Sequence, residues 1–238
     1  MNVIFLFALI SGRFRAGLTF LIKELGIEGC PIGCFNGAYV EADGNVLSEN
    51  KITNDQIRRV LAITRKLNVT SVIFDLDDWY MEENEGYWWN YQGRMAKKDG
   101  IFVSFDAFLD NLDKKNESVF KIIPKELDHE KAKLVYRILK EEFCDELEIY
   151  MSAPTNIEIV AKGVEKGNVI SVFADYYKIP QSTIMAFGDY DNDLSMLQAS
   201  GYPVAMGNGV KKIKDIAYYV TEDNNSDGLG KALKKFFF

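Results

Sequence analysis

A chain of 238 residues, 47% apolar and 26% charged, can build one large core or two small ones, and its ordinary composition excludes disorder, collagen-like repeats and a disulfide scaffold. Its 28 Lys and Arg against 35 Asp and Glu leave a net charge of −7, which argues against a nucleic-acid or anionic-membrane surface. The single histidine, His129, excludes a His-rich zinc site, and three cysteines without Cys-x-x-Cys spacing (Cys30, Cys34, Cys144) suit reduced thiols in a cytoplasm.

The chain opens on an almost unbroken apolar run, Asn2 to Ile10, with no basic segment before it and no small-residue cleavage site after it. It is too short to span a bilayer and reads as a buried strand running into Ser11-Gly12-Arg13. Residues 14–26 have Leu18, Leu21, Ile22 and Leu25 at helical spacing, with Gly26 at the C-cap. Cys30 to Val40 is strand-like and contains Phe35-Asn36-Gly37-Ala38, and Asp43-Gly44 marks a hairpin turn. Thr53 to Asn68 is an amphipathic helix with Thr53 or Asn54 as N-cap and Ile57, Val60, Leu61, Thr64 and Leu67 on one face. A strand over 69–74, an aromatic segment (Tyr87, Trp88, Trp89, Tyr91), a strand over 118–123, a helix over 128–143 opened by a solvated His129, and strands over 147–151 and 156–160 follow. Alternation then resumes, with helices over 166–177 and 191–199 and strands over 183–187, 204–206 and 217–220. The expected class is α/β: a parallel-sheet core made of residues 1–52 and 156–238, interrupted by an α+β module over 53–155.

Gly188-Asp189-Tyr190-Asp191-Asn192-Asp193 is the most informative segment. Three carboxylates and an amide lie between the end of a buried strand and the start of a helix, a hard-oxygen set suited to Mg2+ at the end of an α/β sheet where ligands bind. The same residues also serve as ordinary helix N-caps. Ser11-Gly12 offers a hydroxyl and backbone N–H groups to a phosphate, Lys166 brings an ammonium to a helix start, and Asn36-Gly37 ends a third strand. Each alone has a bland reading as a turn or a surface residue; their joint occurrence carries the weight.

In chain order, Ser11-Gly12-Arg13, Phe35-Asn36-Gly37-Ala38, Lys162 to Gly167, Gly188 to Leu197, Val204 to Asn208 and Ser226-Asp227-Gly228 resemble the successive motifs of the haloacid dehalogenase superfamily, specifically its Cof-type, subclass IIB phosphatases. The resemblance implies a Rossmann-like core carrying an α/β cap, and Mg2+-dependent hydrolysis of small phosphorylated metabolites such as sugar phosphates through an aspartyl-phosphate. It implies that Ser11 holds the transferring phosphoryl group with Gly12, Arg13, Asn36 and Gly37 around the substrate. Lys166 would neutralise charge, Asp189 would be the metal ligand, and Asn192 and Asp193 would support the metal shell and the lysine. A non-catalytic phosphometabolite-binding regulator and a phosphomutase of the same superfamily are the rival readings. Oligomeric state stays open in the sequence.

The family's first motif, Asp-x-Asp-Gly-Thr with the nucleophile and the general acid/base, belongs upstream of Ser-Gly-Arg and is not found there. A strand–helix unit is on the order of 30 residues, and Ser11 leaves no room for it. The reading at this point is a core without its first strand, inactive as given, through a gene model begun at an internal Met, degeneration or truncation. Phe74-Asp75-Leu76-Asp77 imitates the motif but continues Asp78-Trp79-Tyr80 where Gly and Thr are needed, so it reads as a hairpin of the inserted module. Asp77, Trp79, Trp88 and Trp89 there line either a substrate surface or a core.

Overall fold

The structure is a computed structural model and describes residues 5–238, which divide into two compact units at Val164/Glu165.

In the first unit, β1 (Leu9–Ile10), β2 (Ile32–Cys34), β3 (Tyr39–Ala42) and β4 (Asn45–Glu49) form a four-stranded sheet in that order, with α1 (Arg15–Leu25) between the first two strands. β1 pairs parallel to β2, and the β3–β4 hairpin turns at Asp43 and Gly44, both at positive φ (52° and 75°), as the Asp-Gly signal predicts. Gly26 caps α1 in the left-handed region (φ 63°). The expected strand over Asn2–Ile10 is corrected to two residues: 2–4 lie outside the described residues, and Phe5, Leu6 and Phe7 are exposed. The partner strand is the reason. The Leu9 N–H reaches the Pro31 carbonyl, but Pro31 has no N–H with which to extend the ladder backwards.

The unit continues through α2 (Asn54–Lys66), β5 (Thr70–Phe74), β6 (Trp79–Met81), α3 (Tyr87–Ala96), β7 (Ile101–Phe102), α4 (Phe105–Lys115), β8 (Lys121–Lys125), α5 (His129–Glu142), β9 (Leu147–Ala153) and β10 (Asn156–Ala161). The strands make a six-stranded sheet in the order β7-β6-β5-β8-β10-β9. Thr53 is the N-cap of α2 in a reciprocal capping box: its hydroxyl accepts from the Gln56 N–H while Gln56 Oε1 accepts from the Thr53 N–H. The boundary expected at 155/156 falls at a two-residue turn inside the β9–β10 hairpin, whose ladder runs from Asn156 to Ala161, so the sheet continues past it.

Strand alternation gives this sheet two faces. Ile73, Ile122, Ile149, Ile157 and Ile159 meet the apolar stripes of α2, α4 and α5, including Ile57, Leu61, Leu109 and Leu139. Val72, Phe74, Phe120, Ile123 and Val160 meet Phe14, Leu18, Phe35 and Tyr39 from the four-stranded layer, where Phe35 stacks on Phe120 at 5.0 Å between centroids. The imitation motif is the β5–β6 turn: the Asp75 N–H donates to the Asp78 carbonyl, Arg15 holds both carboxylate oxygens of Asp77, and Lys98 holds Asp78. Trp79 is fully buried, a core residue.

The second unit contains α6 (Lys166–Tyr177), β11 (Met185–Gly188), α7 (Leu194–Ala199), β12 (Tyr202–Ala205), α8 (Lys211–Ile216), β13 (Tyr219–Val220) and α9 (Gly228–Phe237). Its three strands are parallel in the order β11-β12-β13, with Val169, Phe173, Leu197, Val204 and Ile213 buried. Among the described residues no helix is long and apolar enough to cross a membrane, His129 is exposed, and all three cysteines are free.

Candidate active site

In the second unit the chain leaves β11 at Gly188 and turns through Asp191–Asp193 into α7. A Cβ at Gly188 would lie 2.6 Å from the Asp193 Cβ, so only glycine lets the turn fold Asp193 back over the strand end. Asp193 Oδ2 accepts from the backbone N–H groups of Asp189 (2.9 Å) and Tyr190 (3.2 Å), and Oδ1 accepts from Lys166 Nζ at 2.5 Å. Both side chains of this pair are buried, at 9% and 8% exposure, so the ammonium is fixed in place. Asp193 was expected to support the metal shell and the lysine; its oxygens are committed to Lys166 and to two N–H groups, so it serves the lysine as a positioning carboxylate.

Asp189 Oδ2 accepts from Asn208 Nδ2 at 2.9 Å, while Asn208 Oδ1 accepts from the Asn224 N–H. Asp189 Oδ1 has no partner among the described residues and, with the half-buried Asn192 on the same turn, supplies hard oxygen donors. No group of three or more His, Cys, Asp or Glu gathers as a metal cage among the described residues. A Mg2+ held by one or two carboxylates, water and phosphate oxygens is compatible with such a donor set. Asp191 faces away, toward the exposed Lys212.

In the first unit, the loop after β1 is tied to the end of β2 by three backbone bonds: Ser11 N–H to Gly33 O, Asn36 N–H to Ser11 O, and Phe35 N–H to Arg13 O. Ser11 Oγ accepts from the Arg13 N–H, and the Gly12 N–H has no partner among the described residues, leaving a hydroxyl proton and an amide for an anion. Phe35, Asn36 and Gly37 all take positive φ, which turns the buried Asn36 amide onto Glu158 Oε2 at 3.0 Å. A Cβ on Gly12 would come within 2.9 Å of the same oxygen. Arg13 is the exception, donating to the Met95 carbonyl.

The structure thus gathers Ser11, Gly12 and Asn36 in one unit, with Gly37 in the same turn, and Lys166, Asp189, Asn192 and Asp193 in the other. It also adds residues the sequence reading passed over. Lys121 Nζ donates to the Gly12 carbonyl at 2.5 Å and lies 3.5 Å from Glu158 Oε2, while Ser152 and Asn156 bond Glu158 Oε1. Burial pushes the Lys121 ammonium pKa down, against the raising effect of Glu158. The available signal was parity: Lys121 and Lys125, and Asn156 and Glu158, stand at alternate positions of otherwise apolar strands.

The family model for haloacid dehalogenase-like hydrolases matches residues 4–233. The 5-amino-6-(5-phospho-D-ribitylamino)uracil phosphatase YitU of Bacillus subtilis is 31% identical over 225 residues, covering 87% of this chain and 76% of its own. A haloacid dehalogenase-like hydrolase from Bacteroides thetaiotaomicron superposes with a TM-score of 0.83 at 24% identity, over 97% of this chain and 86% of its own. The subclass IIB sugar phosphatase BT4131 gives 0.76 at 24% identity, over 96% and 84%. The chain belongs to the haloacid dehalogenase-like hydrolases.

Proposed function

We propose that the protein is a cytoplasmic, Mg2+-dependent phosphatase of small phosphorylated metabolites of the sugar-phosphate kind, working through an aspartyl-phosphate. The observation that carries this reading is the Asp193 side chain, which fixes Lys166 with one oxygen and the Asp189 turn with the other, beside a carboxylate oxygen of Asp189 that is open to a ligand. The Ser11 hydroxyl and the Gly12 N–H bind phosphoryl oxygens, Asn36 and Gly37 shape their surroundings, and the Lys166 ammonium neutralises charge that develops during transfer. Asp189 with Asn192 would hold Mg2+, which supplies further charge neutralisation when bound.

The attacking carboxylate and the general acid/base belong to an Asp-x-Asp-Gly-Thr segment that these 238 residues do not contain in its place before Ser11. We therefore expect these residues alone to bind phosphate monoesters without turning them over. The test is phosphate release with Mg2+ on a panel of sugar phosphates, together with the substrate named for the Bacillus subtilis relative. It is run on this chain and on one carrying the segment as an added N-terminal strand and helix. Background rates in the first and turnover in the second are expected. Turnover by the 238 residues alone refutes the inactivity. Binding without release in the extended chain favours the regulatory reading, and phosphate moved between sugar positions favours a mutase.

A further inference from the structure

Lys125, at the end of β8, is a buried ammonium that the proposed reaction does not use. It is 5% exposed, and its Nζ lies 5.6 Å from the Trp88 ring centroid and 5.3 Å from that of Tyr91, both on α3. It has no hydrogen bond or ion pair among the described residues. Lys121, two alternations earlier on the same face, has the Gly12 carbonyl and Glu158 as partners. The strand register pairs Asn156 with Lys125 and Ile159 with Ile122, which sets Glu158 opposite Ile123, between the two lysines; it lies within ion-pair distance of Lys121 and acts on Lys125 through its charge alone.

The charges on this face do not balance. Lys121 and Lys125 contribute two positives against the one negative of Glu158, and Arg13 of the Ser11–Gly12 loop, whose charge acts on Lys121, is also positive. The aromatic faces of Trp88 and Tyr91 attract a cation without neutralising it. A buried ammonium with no counter-ion in contact is costly to keep, and an anion arriving on this face relieves that cost.

Resting on the phosphatase reading above, we propose that Lys125 binds a second anionic group of the substrate, so that the preferred phosphate monoester carries a carboxylate or another phosphate at the end remote from the Ser11–Gly12 loop. Lys121 connects the two ends by holding the Gly12 carbonyl. The groups facing Lys125 are Lys121 on its own strand, Glu158 on β10, and Trp88 and Tyr91 on α3. Burial, and secondarily Lys121, pushes its pKa down to about 8, so anion affinity falls as the pH rises past that value.

The test is calorimetric titration of the full chain with Mg2+ at pH 7, using glucose 6-phosphate, 6-phosphogluconate and fructose 1,6-bisphosphate as probes. The first has a neutral remote end, the second a carboxylate and the third a phosphate. A charge-assisted contact predicts that one or both anionic probes bind about tenfold tighter or more than glucose 6-phosphate. Lys125→Met brings that ratio to about twofold or less on the same scale, and Lys125→Arg retains it. Equal binding of all three probes, or a preference that survives Lys125→Met, overturns the assignment and leaves the phosphatase reading standing. If none of the three binds, that reading falls with it. Titration with malonate then decides Lys125 by itself: binding to the native chain that Lys125→Met abolishes supports the anion site, and its absence overturns it.

Discussion

Replacing Lys125 by methionine keeps most of the side-chain length and removes the charge, so the stability difference between native and variant chains isolates the cost of burying that ammonium. The folded-state pKa of about 8 against an ordinary 10.5, at 1.36 kcal/mol per unit, corresponds to about 3 kcal/mol. The group is a base with a depressed pKa. Below pH 8 both folded and unfolded chains hold the proton, and the folded chain bears the full cost. Between pH 8 and 10.5 the unfolded chain binds more protons, so stability rises with pH. Lys125→Met is therefore expected to be more stable than the native chain by about 3 kcal/mol at pH 7, with the difference vanishing above pH 10.5.

Urea unfolding followed by tryptophan fluorescence reads this directly, because Trp79, Trp88 and Trp89 all lie in the first unit. Burial pushes the Cys34 thiol and the Tyr39 and Tyr80 hydroxyls up to about 12, which makes stability fall as the pH rises past their ordinary values. Lys121 is pushed down like Lys125. The thiol and the two hydroxyls are present in both chains and cancel in the difference, while Lys121, relieved of the Lys125 charge in the variant, moves the difference in the same direction. A difference that does not change between pH 7 and 10.5, or a methionine variant less stable than the native chain at pH 7, refutes the reasoning.

Two further substitutions test the second unit, followed by far-ultraviolet circular dichroism because it has no tryptophan. Asp193→Ala leaves Lys166 buried and unpaired and is expected to cost about 3–5 kcal/mol, with much of the loss recovered by adding Lys166→Met; a loss below about 1 kcal/mol would mean the pair does not hold the turn. Gly188→Ala places a Cβ 2.6 Å from that of Asp193 and is expected to cost about 1–3 kcal/mol, so an alanine variant as stable as the native chain would contradict the close approach.

Legibility in the sequence followed how local the determining forces are. The helix over Lys166–Tyr177 was predicted to the residue, because Val169 and Phe173 recur at helical spacing. The opening strand failed because its length depends on a neighbour twenty residues away that begins after Pro31. Tyr87–Ala96 was read only as an aromatic segment, yet it is helical. Its rings are poor helix formers in isolation and gain their conformation by packing, as where Trp89 meets the buried Trp79. The expected boundary at 155/156 falls at the turn of the β9–β10 hairpin, a pairing between strands that the local residue pattern does not specify. Ser11, Asn36, Lys166 and Asp189 were legible as motif residues, and Asp193 as a support for the lysine, whereas the capping of its other oxygen by the Asp189 and Tyr190 N–H groups depended on the fold of the turn.

The two buried charge groups among the described residues differ in one respect that bears on function. Lys166 and Asp193 are one cation and one anion at 2.5 Å, with the remaining carboxylate oxygen capped by backbone N–H groups, so that group is satisfied as folded and its ammonium is held still for a ligand. The face of β8 and β10 has every acceptor of Glu158 engaged, by Lys121, Asn36, Ser152 and Asn156, and still has one lysine more than its carboxylates can neutralise. Substituting an apolar residue for Lys125 would remove that surplus without breaking a hydrogen bond among the described residues. Stability alone therefore gives no reason to keep a lysine there, and the surplus charge is accounted for by what the face has to bind.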